Sequence, residues 1–236
     1  MPGSLILLPV ALGDTAWQAC LPASTQAAAC KLGHFVAENA KSARAELKRM
    51  GHPGPLRDIA IEQLPENPTA ADIERLLAPL GAGHDLGLMS EAGCPAIADP
   101  GALLVRRAHD KGISVKPLVG PSSLLLALMG SGLEGQRFAF HGYLPAREPE
   151  RSRRIAELES ESARRKQTQI FIETPYRNNV MFDAALSACR PRTRLCVATD
   201  LTLDSESIRS LRIAAWKAVP PPDLDRRPTV FLLLAD

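Results

Sequence analysis

The chain has 236 residues, 23% of them charged and 45% in the apolar set, the composition of a folded globular protein with one large domain or two of ordinary size. A formal net charge of +2 excludes strong whole-protein attraction to nucleic acid but leaves room for local basic patches, and an aromatic content of 4% argues against a base-stacking platform for single strands. No apolar run approaches the ~20 residues that span a bilayer, and Met1-Pro2-Gly3-Ser4 lacks the basic start of a secretion signal, so the expectation is a cytoplasmic protein with no membrane partner.

The five cysteines form no C-x-x-C pair, and the five histidines are scattered without ligand spacing. Neither a metal site nor a disulfide framework is expected, and the cysteines read as small apolar residues in a reducing compartment.

In chain order, residues 4–10 form a fully apolar opening strand that runs into a turn at Gly13-Asp14. Continuous apolar strands of this kind belong to parallel sheets buried on both faces. A helix is predicted over 25–32, a short strand over 35–37 and a charged amphipathic helix over 40–50, which Gly51-His52-Pro53-Gly54-Pro55 stops. A strand over 58–64 and a helix from Pro68-Thr69 through Leu80 follow. Gly81-Ala82-Gly83 resembles a dinucleotide fingerprint only superficially, because it precedes a strand instead of following one.

The central stretch comes next. An apolar strand, residues 86–89, ends in Ser90-Glu91-Ala92-Gly93-Cys94-Pro95-Ala96-Ile97-Ala98-Asp99-Pro100-Gly101, and an apolar helix begins at Ala102. A strand that stops in a tight loop of small residues before a helix either is a plain turn or builds a ligand crevice at the carboxyl edge of an open sheet. The arrangement recurs downstream, where a strand over 113–118 ends at Gly120-Pro121-Ser122-Ser123 before an apolar helix. Those serines either cap the helix or turn their hydroxyls to a ligand.

Beyond residue 135 a strand over 138–145 leads into a basic stretch (Arg147, Arg151, Arg153, Arg154), and Arg164-Arg165-Lys166 lies one helix later. These clusters fit either a solvated Glu/Arg helix or a phosphate-contacting face. The strand over 169–172 delivers Glu173-Thr174-Pro175-Tyr176-Arg177, a carboxylate and a guanidinium four residues apart and candidates for polar substrate contacts. Strands over 194–198 and 229–234 complete the pattern.

Five ordered motifs carry a resemblance over nearly the whole chain: Leu8-Pro9 with Leu12-Gly13-Asp14, the Ser90–Gly101 loop, Gly120-Pro121-Ser122-Ser123, Gly142-Tyr143-Leu144-Pro145 and Glu173-Thr174-Pro175-Tyr176-Arg177. Together they resemble the tetrapyrrole methylase superfamily, and most closely its branch of small-subunit ribosomal RNA cytidine 2′-O-ribose methyltransferases. The resemblance implies an α/β protein of two domains, 1–119 with a mostly parallel sheet and 120–236 with a mixed sheet. It implies a homodimer using S-adenosylmethionine in the cleft between the domains, with ribosomal RNA or the small ribosomal subunit as partner. Leu12, Ser90, Glu91, Ala92, Gly93, Ile97, Ser122, Ser123, Ile172 and Ala198 would then contact the cofactor. Glu173 would orient the substrate or accept a proton, and Arg177 would position Glu173 or meet phosphate.

The sequence departs from that branch on the substrate side. Its A-E-D-T-R is here Ala37-Glu38-Asn39-Ala40-Lys41, its histidine-rich segment is replaced by residues 62–68 without histidine, and its E-L-T-K is Asp200-Leu201-Thr202-Leu203. Exchanging Arg for Lys at a bidentate site is not conservative. Methylation of a small tetrapyrrole-like molecule and a non-catalytic cofactor-binding relative are the competing readings.

Overall fold

The computed structural model describes residues 2–236. The chain divides between Ser122 and Ser123 into two compact units.

In the first unit, β1 (Leu5–Leu8) is followed by α1 (Ala23–Ala29), β2 (His34–Ala37), α2 (Ala40–Arg49), β3 (Ala60–Gln63), α3 (Ala70–Leu76), α4 (Ala78–Gly81), β4 (Leu86–Met89), α5 (Ala102–Asp110) and β5 (Val115–Pro117). The strands form one parallel sheet in the order β3-β2-β4-β1-β5. Two of its three inner strands, β1 (Leu-Ile-Leu-Leu) and β4 (Leu-Gly-Leu-Met), are apolar at nearly every position because helices cover both faces. Alternate side chains feed two cores. Ile6, Leu8, Phe35 and Met89 pack with Ala43 and Leu47 of α2, whereas Leu5, Val36, Leu86 and Leu88 pack with Ile73 and Leu76 of α3 and Leu104 of α5.

Local chemistry sets the helix ends. The Asn39 side chain accepts hydrogen bonds from the N–H groups of Lys41 and Ser42 and so caps α2. Thr69 and Asp72 form a reciprocal capping box at α3. The single helix expected through Leu80 is two short ones, because Pro79 has no N–H to offer and its ring clashes with the carbonyl one turn back.

The second unit runs α6 (Ser123–Ser131), β6 (Phe138–Tyr143), α7 (Glu150–Arg165), β7 (Thr168–Ile172), α8 (Asn178–Ala188), β8 (Arg194–Thr199), β9 (Ser207–Arg212), α9 (Ile213–Trp216) and β10 (Thr229–Leu234). The sheet order is β6-β7-β10-β8-β9, with β6 parallel to β7 and the other pairs antiparallel. The mixed sheet expected for this half is the one observed. Phe171, Val197 and Phe231 face Ile155, Leu158, Met181 and Phe182 of α7 and α8, and the Phe171 and Phe231 rings stack 5.6 Å apart. Helix α6 packs against β8, β9 and β10.

Three elements left no legible signal in the sequence, the four-residue α9 being too short to show a period. In β9 the apolar residues Ile208 and Leu211 stand three apart instead of two, which an edge strand tolerates. Helix α8 is apolar over much of its circumference, so no stripe marks it. Among the described residues no helix is long and apolar enough to cross a membrane.

Phe171 is fully enclosed. Phe171→Ala is expected to destabilise the protein by about 3–5 kcal/mol, the usual cost of an aromatic-to-alanine cavity, read as a lower urea midpoint by circular dichroism.

Candidate functional site

The loops at the carboxyl ends of β1 and β4 are tied together by backbone. Val10 N–H donates to the Gly93 carbonyl at 2.9 Å, and Gly93 N–H returns a bond to the Val10 carbonyl at 3.2 Å. Gly93 sits at φ +72°, in the left-handed region where glycine is unstrained. A Cβ there would come within 3.1 Å of the Leu12 side chain and 3.5 Å of the Pro121 carbonyl. The Cys94 thiol also reaches that carbonyl, at 3.3 Å, so the segment after β5 joins the same assembly. Gly120 is held close as well, since a Cβ on it would lie 2.2 Å from Cβ of Pro9.

A second clamp reaches this first loop from α2. Glu46 accepts from Ala11 N–H at 3.5 Å and pairs with Arg49 at 3.2 Å. Arg49 in turn bonds the Gly13 carbonyl and pairs with Asp14, both at 3.1 Å. Ser42 donates to Glu91 at 3.1 Å. Ser42, Glu46 and Arg49 line a cavity of about 270 Å³ together with Leu12, Ser90 and Glu91. These three helix residues were missed in the sequence. Their spacing of four and three places them on one face of α2, and that was the available signal.

Of the anticipated cofactor contacts, Leu12, Ser90 and Glu91 thus converge on one cavity of the first unit, with Gly93 beneath Leu12. Ala92 is exposed beside them. Ile97 faces elsewhere and lines a larger apolar cavity of about 560 Å³ with Pro9, Cys94 and Val105. It is carried there between Ala96 and Ala98, both left-handed at φ +66° and +64°. Alanine in that region stores roughly 1–2 kcal/mol per residue, strain of the kind concentrated at working loops. Ser122 closes the first unit and Ser123 opens α6, both partly exposed.

Three carboxyls gather at the same edge. Burial pushes the Glu38 carboxyl up; the Glu91 N–H opposes the shift and the Glu91 charge adds to it. One Glu38 oxygen, Oε1, is buried without a hydrogen-bond partner. Burial also raises Asp99 to about 6, reinforced by the charges of Glu38 and Glu91 and opposed by the Ser90 hydroxyl. Among the described residues no three His, Cys, Asp or Glu side chains are arranged to hold a metal ion.

In the second unit, Ile172 and Ala198 stand on either side of Val230, so the three form one row across β7, β10 and β8. Ile172 is partly exposed, but Ala198 is 0% exposed and its side chain is not available to a ligand in this conformation. Glu173 follows Ile172 and is 5% exposed. Its Oε1 accepts from Arg177 at 2.7 Å, from Thr174 N–H at 2.6 Å and from the Thr174 hydroxyl at 3.1 Å, while Oε2 has no partner. Burial acts to raise the Glu173 pKa, but the Arg177 and Thr174 hydrogen bonds outweigh it and hold the carboxyl below its ordinary value. A carboxylate so bound orients its neighbours well and accepts protons poorly.

The basic stretch sorts into different roles. Arg151 is buried and bonded to Glu148 and the Ala146 carbonyl, so it is structural. Arg147 and Arg153 are exposed, with no ion-pair partner among the described residues.

No family model matches the chain. It is 35% identical over 199 residues to the ribosomal RNA small subunit methyltransferase I of Xylella fastidiosa strain Temecula1, covering 84% of this chain and 69% of that protein. It is 37% identical over 140 residues to the protein of the same name from Pseudomonas aeruginosa, covering 59% of this chain and 48% of that one. For several such relatives, then, the match spans about half of their length. Among solved structures, the crystal structure of the methyltransferase CobJ superposes with a TM-score of 0.65 over 99% of this chain and 94% of that chain, at 16% identity, a likeness of fold.

Arg177→Ala is expected to lower the urea midpoint at pH 7. Because the pair holds Glu173 below its ordinary pKa, its contribution is complete above the unfolded carboxylate value near 4.3 and is lost as pH falls through the lower native value. The gap between variant and wild type should therefore close in acid.

Proposed function

Because the chain belongs to the ribosomal RNA small subunit methyltransferase I family, we propose that it transfers a methyl group from S-adenosylmethionine to a ribose 2′-hydroxyl of ribosomal RNA. The observation that carries this reading is the doubly bonded Val10–Gly93 bridge, which brings Leu12, Ser90 and Glu91 to a single cavity.

The first unit fits such a cofactor chemically. S-adenosylmethionine carries an ammonium and a sulfonium, and Glu46 and Glu91 line that cavity; Glu38, with an unpartnered buried oxygen, and Asp99, which lines a neighbouring cavity of about 150 Å³ with Leu64 and Pro68, are close enough to Glu91 to feel its charge. Leu12 and Gly93 would supply an apolar wall that backbone can approach closely, and the Ser90 and Ser122 hydroxyls the polar contacts.

When bound, the cofactor supplies an electrophilic methyl on sulfur. The protein's share is to hold the attacking oxygen in line with that methyl, which saves several kcal/mol of orientational cost, and to take the hydroxyl proton. Asp99 is the group suited to the proton. Its value of about 6 keeps it ionised at neutral pH while leaving it a better base than an ordinary carboxylate. Within the second unit, Glu173, held low by Arg177, is suited to orienting a neighbouring group and not to taking a proton. Asp99 would hold the proton released by the hydroxyl.

The departures on the substrate side do not remove this machinery. Asn39 performs the capping task that an aspartate would. The small-molecule reading is disfavoured because the relatives' names specify ribosomal RNA.

Four measurements check the proposal. Calorimetry should show the intact protein binding S-adenosylmethionine, and nucleoside mass spectrometry should show a 2′-O-methylated residue missing from ribosomal RNA when the gene is deleted. The single-turnover rate should rise with pH through about 6 as Asp99 loses its proton. Asp99→Asn should flatten that rise and slow transfer by about 10²–10⁴-fold. A raised carboxyl stabilises the fold in acid and loses that contribution as pH rises through its native value, so Asp99→Asn should unfold at a higher temperature than wild type at pH 8. Slow transfer by a variant that is more stable at that pH rules out misfolding as the cause.

A further inference from the structure

The chain contains two tyrosines, and both lie at one place on the surface of the second unit. Tyr143 ends β6 and pairs with Ile172 across the β6/β7 ladder, while Tyr176 follows four residues beyond Ile172. They are 59% and 68% exposed, whereas Phe171, Phe182, Trp216 and Phe231 of the same unit are all buried. Arg177 lies near both. Its guanidinium carbon is 5.2 Å from the centroid of the Tyr176 ring, and the Tyr143 phenol is near enough to act on its charge.

This Arg177 is not a loose surface side chain. Glu173, its carboxylate enclosed at the strand end, holds it at 2.7 Å, so the guanidinium plane and the ring above it are set by the sheet. Four residues past Tyr143, the exposed Arg147 has no carboxylate within ion-pair distance among the described residues. Aromatic faces near a fixed guanidinium, with an uncommitted cation beside them, are what unpaired nucleobases and a sugar–phosphate chain require.

We propose that Tyr143 and Tyr176, on the surface near Arg177, form a stacking platform for unpaired bases of an RNA substrate, with Arg147 meeting the adjoining phosphates. The inference rests on the RNA reading above and locates one part of its contact surface. It departs from the expectation that composition gives. An aromatic fraction of 4% argued against a stacking platform, yet two rings suffice when the fold brings them together.

The test uses the intact protein and a short fluorescein-labelled, cytidine-rich single-stranded RNA, with affinity read by anisotropy at low and moderate salt. Tyr143→Ala and Tyr176→Ala should each weaken binding by at least about fivefold. Phenylalanine at either position should restore it, and the salt slope should not change, because stacking releases no counterions. Arg147→Ala should instead reduce the log–log salt slope by about 0.7. S-adenosylmethionine binding by calorimetry should be the same in both tyrosine variants as in wild type. Wild-type affinity in the alanine variants, with RNA still bound, overturns the platform and leaves the RNA reading standing. Loss of affinity accompanied by a change of oligomeric state in light scattering also overturns it, because the rings would then be covering another protein surface. Failure of the wild-type protein to bind RNA at any salt overturns the platform and the RNA reading together.

Discussion

Two hydrogen bonds between Val10 and Gly93 hold the first unit's loop region in its shape. In a parallel sheet the strands end side by side, but nothing in the ladder itself makes the loops beyond them converge. Here the bridge continues the pairing past the ends of β1 and β4, and it depends on a residue without a side chain. Gly93 occupies a left-handed backbone position with Leu12 and the Pro121 carbonyl close above it. Gly120 allows Pro9 to come equally near from the other side. Three successive strand exits are thereby gathered, and the Glu46–Arg49 pair of α2 secures the outer edge of the first.

The two units treat their carboxylates in opposite ways. In the first, Glu38, Glu91 and Asp99 stand close enough that burial and mutual repulsion raise Glu38 and Asp99. In the second, Glu173 is buried more completely, yet three hydrogen bonds to one of its oxygens keep it ionised. Burial alone therefore does not decide the protonation state. The partner does: Glu173 has an arginine and Thr174 as donors, whereas Asp99 faces the like charges of Glu38 and Glu91.

The altered residues on the substrate side acquire physical meaning in the fold. Asn39 retains a capping role, and Asp200 is held by Arg227 and Ser205, each at 2.8 Å. Both positions are thus committed to local structure. Arg151 likewise belongs to the packing of α7 and not to a basic face.

Much of the architecture could be read from the chain alone. The apolar runs at Leu5–Leu8 and Leu86–Met89 announced a doubly covered parallel sheet, and the order of motifs from Leu12 to Arg177 announced the family. Periodicity and turn chemistry are local, so they survive in sequence; β9 and α8 were illegible because an edge strand and a broadly apolar helix obey neither period cleanly. Contacts between residues distant in the chain were the province of tertiary structure. The chain names Ser42, Glu46, Tyr143 and Tyr176, but only folding sets the first two beside Glu91 and Ala11 and the last two near Arg177.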